Sequence, residues 1–424
     1  MILLNNLKIL APFILALAVP LSRSTADISI ILFALAFLAK SYLDDNWHWT
    51  NEKWFKAALV FFIYCVFINS SLSINSFESL KYSLFFLRWP LFAVACAYWI
   101  FTDLKSIKIF FAVIAIVVIF LIIDTWYQFF LGFDIFGREI YGSDRLTGPF
   151  RRPYVGMWIT KLILFPLFIF VLFDKYQKYL NSKFFYIFLT IFVCLFFSTI
   201  FITGERMALI MSLLSIIIIM LGLNFSKYIS FSKSILIFFL LILISIFFLI
   251  VSPDQFDRSI HSSLFKIINW KNSDYGLVWR SAYDVWMESP FFGAGLHQYR
   301  DACAQLGIYG NVDQPISGGV CFHPHNISMQ LLSETGFIGF SLFFIMVLYI
   351  SLNILENGFN KKEWLTFFLM LNVIVATFLP IQSNTDFFSN KYSSIVWLLI
   401  GVSLAVKRLK INQKKPKYGK NQDK

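Results

Sequence analysis

The residues best suited to chemistry are two histidines, His323 and His325, which stand where a long polar segment gives way to an apolar one. Asn326 is a favoured N-cap residue for a helix that begins at Ile327, and Gly336 is a natural end for that helix. His325 would therefore lie just outside a helix N-terminus, whose partial positive charge disfavours the imidazolium form. A histidine that stays neutral accepts a proton, which is what a general base does. The competing interpretation is a helix cap with no chemical role.

Arginines form a second group of candidates, comprising Arg145, Arg151 and Arg152 in one short connection, Arg206 at the start of an apolar run and Arg280 in the polar segment. A guanidinium offers a planar fork for bidentate contacts with phosphate or carboxylate, which a lysine ammonium does not. The group therefore predicts an anionic ligand. Each arginine also has a structural interpretation, such as an ion pair with a neighbouring acidic residue.

Two cysteines of the polar segment predict a disulfide. Cys303 and Cys321 are eighteen positions apart, and they would pair if the segment lies outside the cytoplasm. Cys321, His323 and His325 also alternate, so an extended strand would direct all three to one side as in a zinc site. Pro324 and a disulfide at Cys321 both oppose that arrangement, and the sequence predicts no metal.

Membrane helices must position these residues. The chain of 424 residues is 58% hydrophobic and 14% charged, which excludes an ordinary soluble domain. The sequence predicts an all-α integral membrane protein with about twelve transmembrane helices and one large non-cytoplasmic loop that contains short surface helices, which end at Ser289 and Pro290. The predicted apolar runs are approximately 9–22, 27–40, 57–70, 83–101, 107–131, 154–173, 184–203, 206–222, 234–251, 329–354, 364–380 and 392–406.

The runs divide the chain into four parts. Residues 1–251 hold the first nine helices, residues 252–328 form the large loop, residues 329–406 hold the last three helices, and residues 407–424 form a basic tail. Lysines concentrate in every second connection and in the tail, which predicts that both termini are cytoplasmic. The candidate arginines then lie on the outer face. The net charge of +12 does not indicate nucleic acid, because the tail lacks interleaved aromatic residues apart from Tyr418.

The spacing of one motif resembles the signature of the O-antigen ligases. His325 and Asn326 are followed by nine residues and then by Gly336, two residues and Gly339. In that family a histidine is followed by Asn, Ser or Gln, then nine residues, a glycine, two residues and Gly, Thr or Tyr. The resemblance identifies Gly336 and Gly339 as structural parts of the motif.

Other segments resemble the same family. Arg206 opens a span, and Arg280 precedes the histidine in the large loop. Residues 145–150 resemble the family's earlier periplasmic loop, and residues 286–295 resemble a segment that ligases share with related polymerases. Ile210 stands where the family commonly has leucine, a mild departure that leaves Arg206 in place.

The resemblance implies a glycosyltransferase of lipopolysaccharide biosynthesis in the bacterial inner membrane. Such an enzyme moves a glycan from undecaprenyl diphosphate to a sugar hydroxyl of lipid A-core at the periplasmic face, without metal or nucleotide. On this chain Arg206 and Arg280 would bind the diphosphate, and His325 would be the base. Arg145, Arg151, Arg152 and Asn326 would add contacts to the diphosphate or the glycan.

Three alternatives stay open. A polymerase that lengthens the glycan typically carries two large periplasmic loops, whereas this sequence predicts one. An oligosaccharyltransferase that modifies protein serine usually carries an extra C-terminal domain. A flippase or exporter would need acidic residues along an ion path, and Asp124 is the main acidic residue within a predicted span.

Overall fold

A computed structural model describes residues 2–142, 145–261, 264–265, 268–308, 321–380, 382 and 386–414. Helices dominate these residues, and isolated bridges join Phe133 to Glu139 and Tyr141 to Arg145. Residues 415–424, most of the predicted tail, lie outside the described residues.

The longer helices of the first half are α1 (Ile2–Leu21), α2 (Arg23–Leu43), α3 (Lys53–Ile63), α4 (Ser76–Phe86), α5 (Arg88–Ala95) and α6 (Leu104–Leu131). They are followed by four short helices, α7 (Val155–Leu162), α8 (Leu164–Leu167), α9 (Ile169–Leu172) and α10 (Asp174–Gln177). The second half contains α11 (Lys183–Ile202), α12 (Arg206–Phe225), α13 (Phe231–Val251), α14 (Pro253–Phe256), α15 (Asp274–Glu288), α16 (Tyr299–Gln305), α17 (Ile327–Asn360), α18 (Trp364–Phe378) and α19 (Asn390–Lys414).

The predicted class of fold is confirmed. Within the described part of the chain, nine helical segments are long and apolar enough to cross a membrane, and α18 is a shorter apolar helix. The two remaining predicted runs fall in α3 with its following π turn, Tyr64–Asn69, and in α19. The count of twelve spans stays a prediction.

The spans pack around aromatic side chains. Phe343 of α17 lies at the centre of this core, with its ring centre 5.5 Å from that of Phe61 and 5.3 Å from that of Phe387. Polar contacts join helices inside the core as well: the hydroxyl of Ser215 in α12 donates to the amide oxygen of Asn372 in α18 at 3.0 Å. This bond ties the middle of α12 to α18.

The large loop contains a small core of its own. Helix α15 begins after Ser273, whose hydroxyl oxygen accepts a hydrogen bond from the Gly276 amide, and it ends at Ser289, as the sequence predicts. Ala282 and Val285 of α15 pack with Tyr299 of α16 and with Cys303. A disulfide joins Cys303 to Cys321 across a Cα–Cα distance of 5.7 Å, and it fixes the segment that leads to the histidines.

Helix α17 starts where the sequence predicts but does not end at Gly336. The Asn326 side chain accepts a hydrogen bond from the Met329 amide at 3.1 Å, which caps the first turn. Gly336 has φ +65°, so the helix is interrupted there and resumes with Phe337. The Phe337 amide donates to the Pro290 carbonyl at 2.8 Å, because the interruption removes its helical partner.

Glycines allow the segment after α15 to lie directly against this interruption. A Cβ atom on Gly336 would stand 2.3 Å from the carbonyl carbon of Phe291, and one on Gly293 would stand 2.5 Å from the backbone of Glu334. A Cβ on Gly339 would stand 2.8 Å from the Tyr64 ring. The backbones at Gly293 and Gly336 are too close to admit a side chain, so these two glycines join the large loop to α17.

Candidate active site

A cavity of about 370 Å³ opens at one end of the helical bundle. Its walls come from residues 141–154, the first turn of α12, the first turns of α15 and the segment that ends at His325. Arg145, Arg152 and Arg206 line it together with His323 and His325. The fold therefore brings together residues that are far apart in the sequence.

The two imidazoles form one wall of the cavity. The ring centres of His323 and His325 are 3.7 Å apart, and the Tyr275 ring lies 6.0 Å from that of His325. The two rings are therefore in contact on the same wall. His325 has φ +51°, an uncommon conformation for a residue other than glycine, and it immediately precedes the N-cap Asn326.

The arginine-bearing loop is held by a buried amide. The side-chain oxygen of Gln128 accepts hydrogen bonds from the amides of Thr147 and Gly148 at 2.8 and 3.0 Å, and its nitrogen donates to the Arg138 carbonyl at 3.2 Å. Arg145 is paired through its backbone with Tyr141, since the Tyr141 amide donates to the Arg145 carbonyl at 2.9 Å. These bonds fix the backbone on both sides of Arg145.

Glu205 connects this loop to the start of α12. Its carboxylate accepts hydrogen bonds from the amides of Gly156 and Met157 at 2.7 and 3.1 Å, and it lines the cavity beside Arg206. Burial raises the pKa of Glu205 to about 7, although the two amides and the charge of Arg145 act in the opposite direction. The sequence suggests Glu205 only as an ion-pair partner of Arg206. Its hydrogen bonds to the start of α7 are not predicted by the sequence.

Lys161 also reaches the cavity, and the sequence analysis missed it. Its side chain is 2% exposed, donates to the Gln382 side-chain oxygen at 3.3 Å and lies over the Tyr392 ring. A lysine inside an apolar run is a signal of function in its own right. The three guanidiniums of the wall, from Arg145, Arg152 and Arg206, outnumber its acidic side chains, Glu205 and Asp274.

Two predicted arginines lie outside the cavity wall. Arg151 is exposed in its loop, next to Arg152, which does line the cavity. Arg280 is exposed on α15, about 200° around the helix from Val278, which lines the cavity. The roles of Arg151 and Arg280 therefore stay predictions.

A second polar cluster lies below the large loop. The His297 imidazole is 3.5 Å from the Asp386 carboxylate, and the side chain of Gln330 donates to the same carboxylate. Burial acts to lower the pKa of His297, but the bond to Asp386 and the negative charges of Glu334, Asp386 and Asp301 together outweigh burial, so the pKa is raised. Burial acts to raise the pKa of Asp386, but the bonds from His297 and Gln330 lower it. The cluster joins the loop to the connection before α19.

Residues 190–344 match the family model described as O-antigen ligase. The match covers 155 of the 424 residues of the chain. The matched residues begin in α11, include Arg206, Arg280 and His325, and end within α17, so the predicted resemblance is confirmed. Among curated proteins none matches the chain. The family supports a ligase- or polymerase-type function in a glycosyltransferase-like membrane enzyme of lipopolysaccharide synthesis.

Proposed function

We propose that this protein is an O-antigen ligase that transfers a glycan from undecaprenyl diphosphate to a sugar hydroxyl of lipid A-core. The observation that carries the proposal is the single cavity in which three arginines and a buried lysine face a histidine pair. Cations in that number suit a diphosphate, and an imidazole suits a hydroxyl that must lose its proton. The family domain over residues 190–344 supports the same reaction class.

The reaction requires a base and an anion-binding site together. The acceptor oxygen attacks the anomeric carbon of the donor glycan and forms the new glycosidic bond, while the bond between that carbon and the diphosphate oxygen breaks. His325 takes the hydroxyl proton within hydrogen-bond distance. Undecaprenyl diphosphate leaves with the bonding electron pair, so its negative charge grows in the transition state. Arg145, Arg152 and Arg206 are placed to stabilise that charge.

The start of α12 adds to this stabilisation. The cavity wall includes Arg206, Met207 and Ala208, the first turn of a twenty-residue helix. Amides of a first turn have no helical acceptor and carry the positive end of the helix dipole, which favours a phosphate group nearby. Arg280 is on the same surface helix as Tyr275 and Val278, so it would contact a part of the donor that extends beyond the cavity wall.

Orientation in the membrane belongs to the same proposal. The cavity would open to the periplasm, where the donor and the acceptor meet, and both termini would be cytoplasmic. The lysine-rich connections at the opposite end of the bundle support this orientation. The disulfide between Cys303 and Cys321 supports it too, because such bonds persist outside the cytoplasm.

The test is lipopolysaccharide analysis in a bacterial strain that makes both substrates and lacks its own ligase. Expression of the chain should restore glycan-bearing lipopolysaccharide, visible as a ladder on gels, and the His325→Ala variant at equal abundance should not. A polymerase would instead lengthen the carrier-bound glycan and leave lipid A-core unmodified. An exporter would retain its effect after His325→Ala, so either pattern would replace the proposal.

A further inference from the structure

A second cavity of about 380 Å³ lies at the other end of α12. Helix α12 begins with Arg206 at the first cavity and ends with Phe225 at the second. Its twenty residues rise about 30 Å, close to the thickness of the hydrocarbon core of a bilayer. The two cavities therefore lie at opposite faces of the membrane.

The second cavity combines cations with apolar walls. Lys227, Lys362 and Lys410 line it, and Glu363 is the acidic residue among its lining side chains. Lys410 bonds to Glu363 and to Thr366, so that acidic charge is already neutralised within the wall. Lys227 and Lys362 are exposed at the mouth, and they leave the cavity with a net positive charge.

Both mouth lysines occupy a position that favours glycine. Lys227 follows the C-cap of α12 with φ +60°, and Lys362 follows the C-cap of α17 with φ +53°. In each case the next amide bonds back to the helix, from Tyr228 to Leu223 at 2.9 Å and from Glu363 to Gly358 at 2.8 Å. This is the helix-ending motif in which glycine is the usual residue. Two lysines in that strained conformation, facing one cavity, indicate that their charges are needed there.

The apolar part of the wall continues onto the lipid-facing surface. Phe170, Phe225 and Leu365 line the cavity, and the Phe225 ring is 55% exposed. Trp364 also lines it, with its ring 5.8 Å from that of Phe225. Tryptophan beside lysine is typical of the level of lipid headgroups. A ligand with both a phosphate and an acyl chain would fit these walls better than a free phosphate ion.

We propose that this cavity binds the phosphate of an anionic phospholipid headgroup, held by Lys227 and Lys362, with the adjoining acyl chain along Phe225. The lysines would recognise the negative charge of the headgroup, and the apolar wall would recognise the acyl chain. The proposal is independent of the transfer reaction, since the two cavities are separated by the length of α12.

The test is thermal unfolding of the full-length protein in neutral detergent with three probes: phosphatidylglycerol, phosphatidylcholine and inorganic phosphate. Phosphatidylglycerol should raise the melting temperature of the wild type, while the other two probes should not. The double variant Lys227→Gly, Lys362→Gly should bind phosphatidylglycerol about tenfold more weakly or worse. A control with the same loss of charge, Lys178→Gln with Lys361→Gln, should respond like the wild type, because neither residue lines the cavity.

Glycine relaxes both left-handed positions, so the double variant should unfold no earlier than the wild type without lipid. If it does unfold earlier, Lys227→Asn with Lys362→Asn provides the same test, because asparagine also tolerates that conformation. An unchanged response to phosphatidylglycerol in the charge-free variant would overturn the proposal. An equal response of the wild type to phosphatidylcholine, or to inorganic phosphate, would overturn the assignment of an anionic lipid.

Discussion

His325 is the residue on which the proposed chemistry depends. Its ring lines the first cavity, touches His323 and immediately precedes the cap of α17. His323 shares that wall, so substitution of each histidine is needed to separate their roles.

We expect His325→Ala to lower the transfer rate at least about 100-fold, because general-base catalysis contributes on the order of 10²–10⁴. The protein should still fold, since the side chain lies in a cavity wall. The measurement is ligation in membranes, normalised to protein abundance. His261→Ala is the control, as that side chain is 75% exposed and outside the cavity. Retained activity in His325→Ala, with loss in His323→Ala, would transfer the role of base to His323.

Replacing arginine by lysine tests the diphosphate contacts. Arg206→Lys should lower the transfer rate at least about tenfold, because the charge is kept while the bidentate fork is lost. Arg280→Lys should also impair transfer strongly if Arg280 holds the donor outside the wall. The KM for the donor and kcat are measured for both variants. A normal transfer rate in Arg280→Lys would indicate that Arg280 makes only a structural ion pair on α15.

Glu205 should make stability depend on pH. Because its pKa in the folded protein is raised to about 7, the folded state retains this proton more tightly than the unfolded chain. Its stabilising contribution is complete below the ordinary value near 4.5 and is lost as the pH rises through about 7. Between pH 5 and pH 8, about one pH unit above the pKa of Glu205, the melting temperature of the wild type should fall. We expect a smaller fall in Glu205→Gln, which has no carboxyl group to titrate. Parallel curves for both proteins would contradict this assignment.

At the scale of elements, the contact between two backbones is the feature that places α15 over the membrane helices. Gly293 and Gly336 let the segment after α15 lie against the interruption in α17, and the amides of Ala294 and Gly295 donate to the carbonyls of Ser333 and Glu334 at 2.9 Å. The position of the histidines relative to the arginines follows from this junction.

Gly336→Ala should destabilise the protein more than Gly307→Ala does. Both glycines have positive φ, so each substitution costs about 1–3 kcal/mol from backbone conformation alone. A Cβ at Gly336 would also overlap Phe291, whereas nothing lies within 4 Å of one at Gly307. Melting temperatures in detergent measure the difference. Equal decreases in melting temperature for the two variants would show that the junction accommodates a methyl group at Gly336.

Sequence reasoning succeeds at the elements where the cause is local. The start of α17 follows from Asn326, and the end of α15 follows from Ser289 and Pro290. The junction of Gly293 with Gly336 joins residues far apart in the chain, so no local pattern reveals it. Lys161 was not predicted because a hydropathy average hides one charge within an apolar run. A lysine inside a predicted span is nevertheless a signal of a functional site.

At the scale of the whole molecule, the helices separate two cationic cavities by the thickness of a membrane. The separation makes the orientation of the chain testable. Glu139 lies near the first cavity, in the loop that carries Arg145, and Lys361 lies next to the second. Both side chains are exposed.

Single cysteines at these positions should react differently in intact cells. Glu139→Cys should be labelled by a membrane-impermeant maleimide that has passed the outer membrane, whereas Lys361→Cys should be labelled only after lysis. Both variants are made with Cys65, Cys96 and Cys194 replaced by alanine, since those thiols are free. The opposite labelling pattern would reverse the proposed orientation.

The small size of the first cavity has a consequence for the proposed product. A space of about 370 Å³ encloses the reacting end of the donor, and the rest of a long glycan would extend out of its open side. Such a transferase would transfer glycans at a rate that does not depend on their number of repeats. The distribution of lengths on the cell surface would then be decided before the glycan arrives, by the machinery that assembles it.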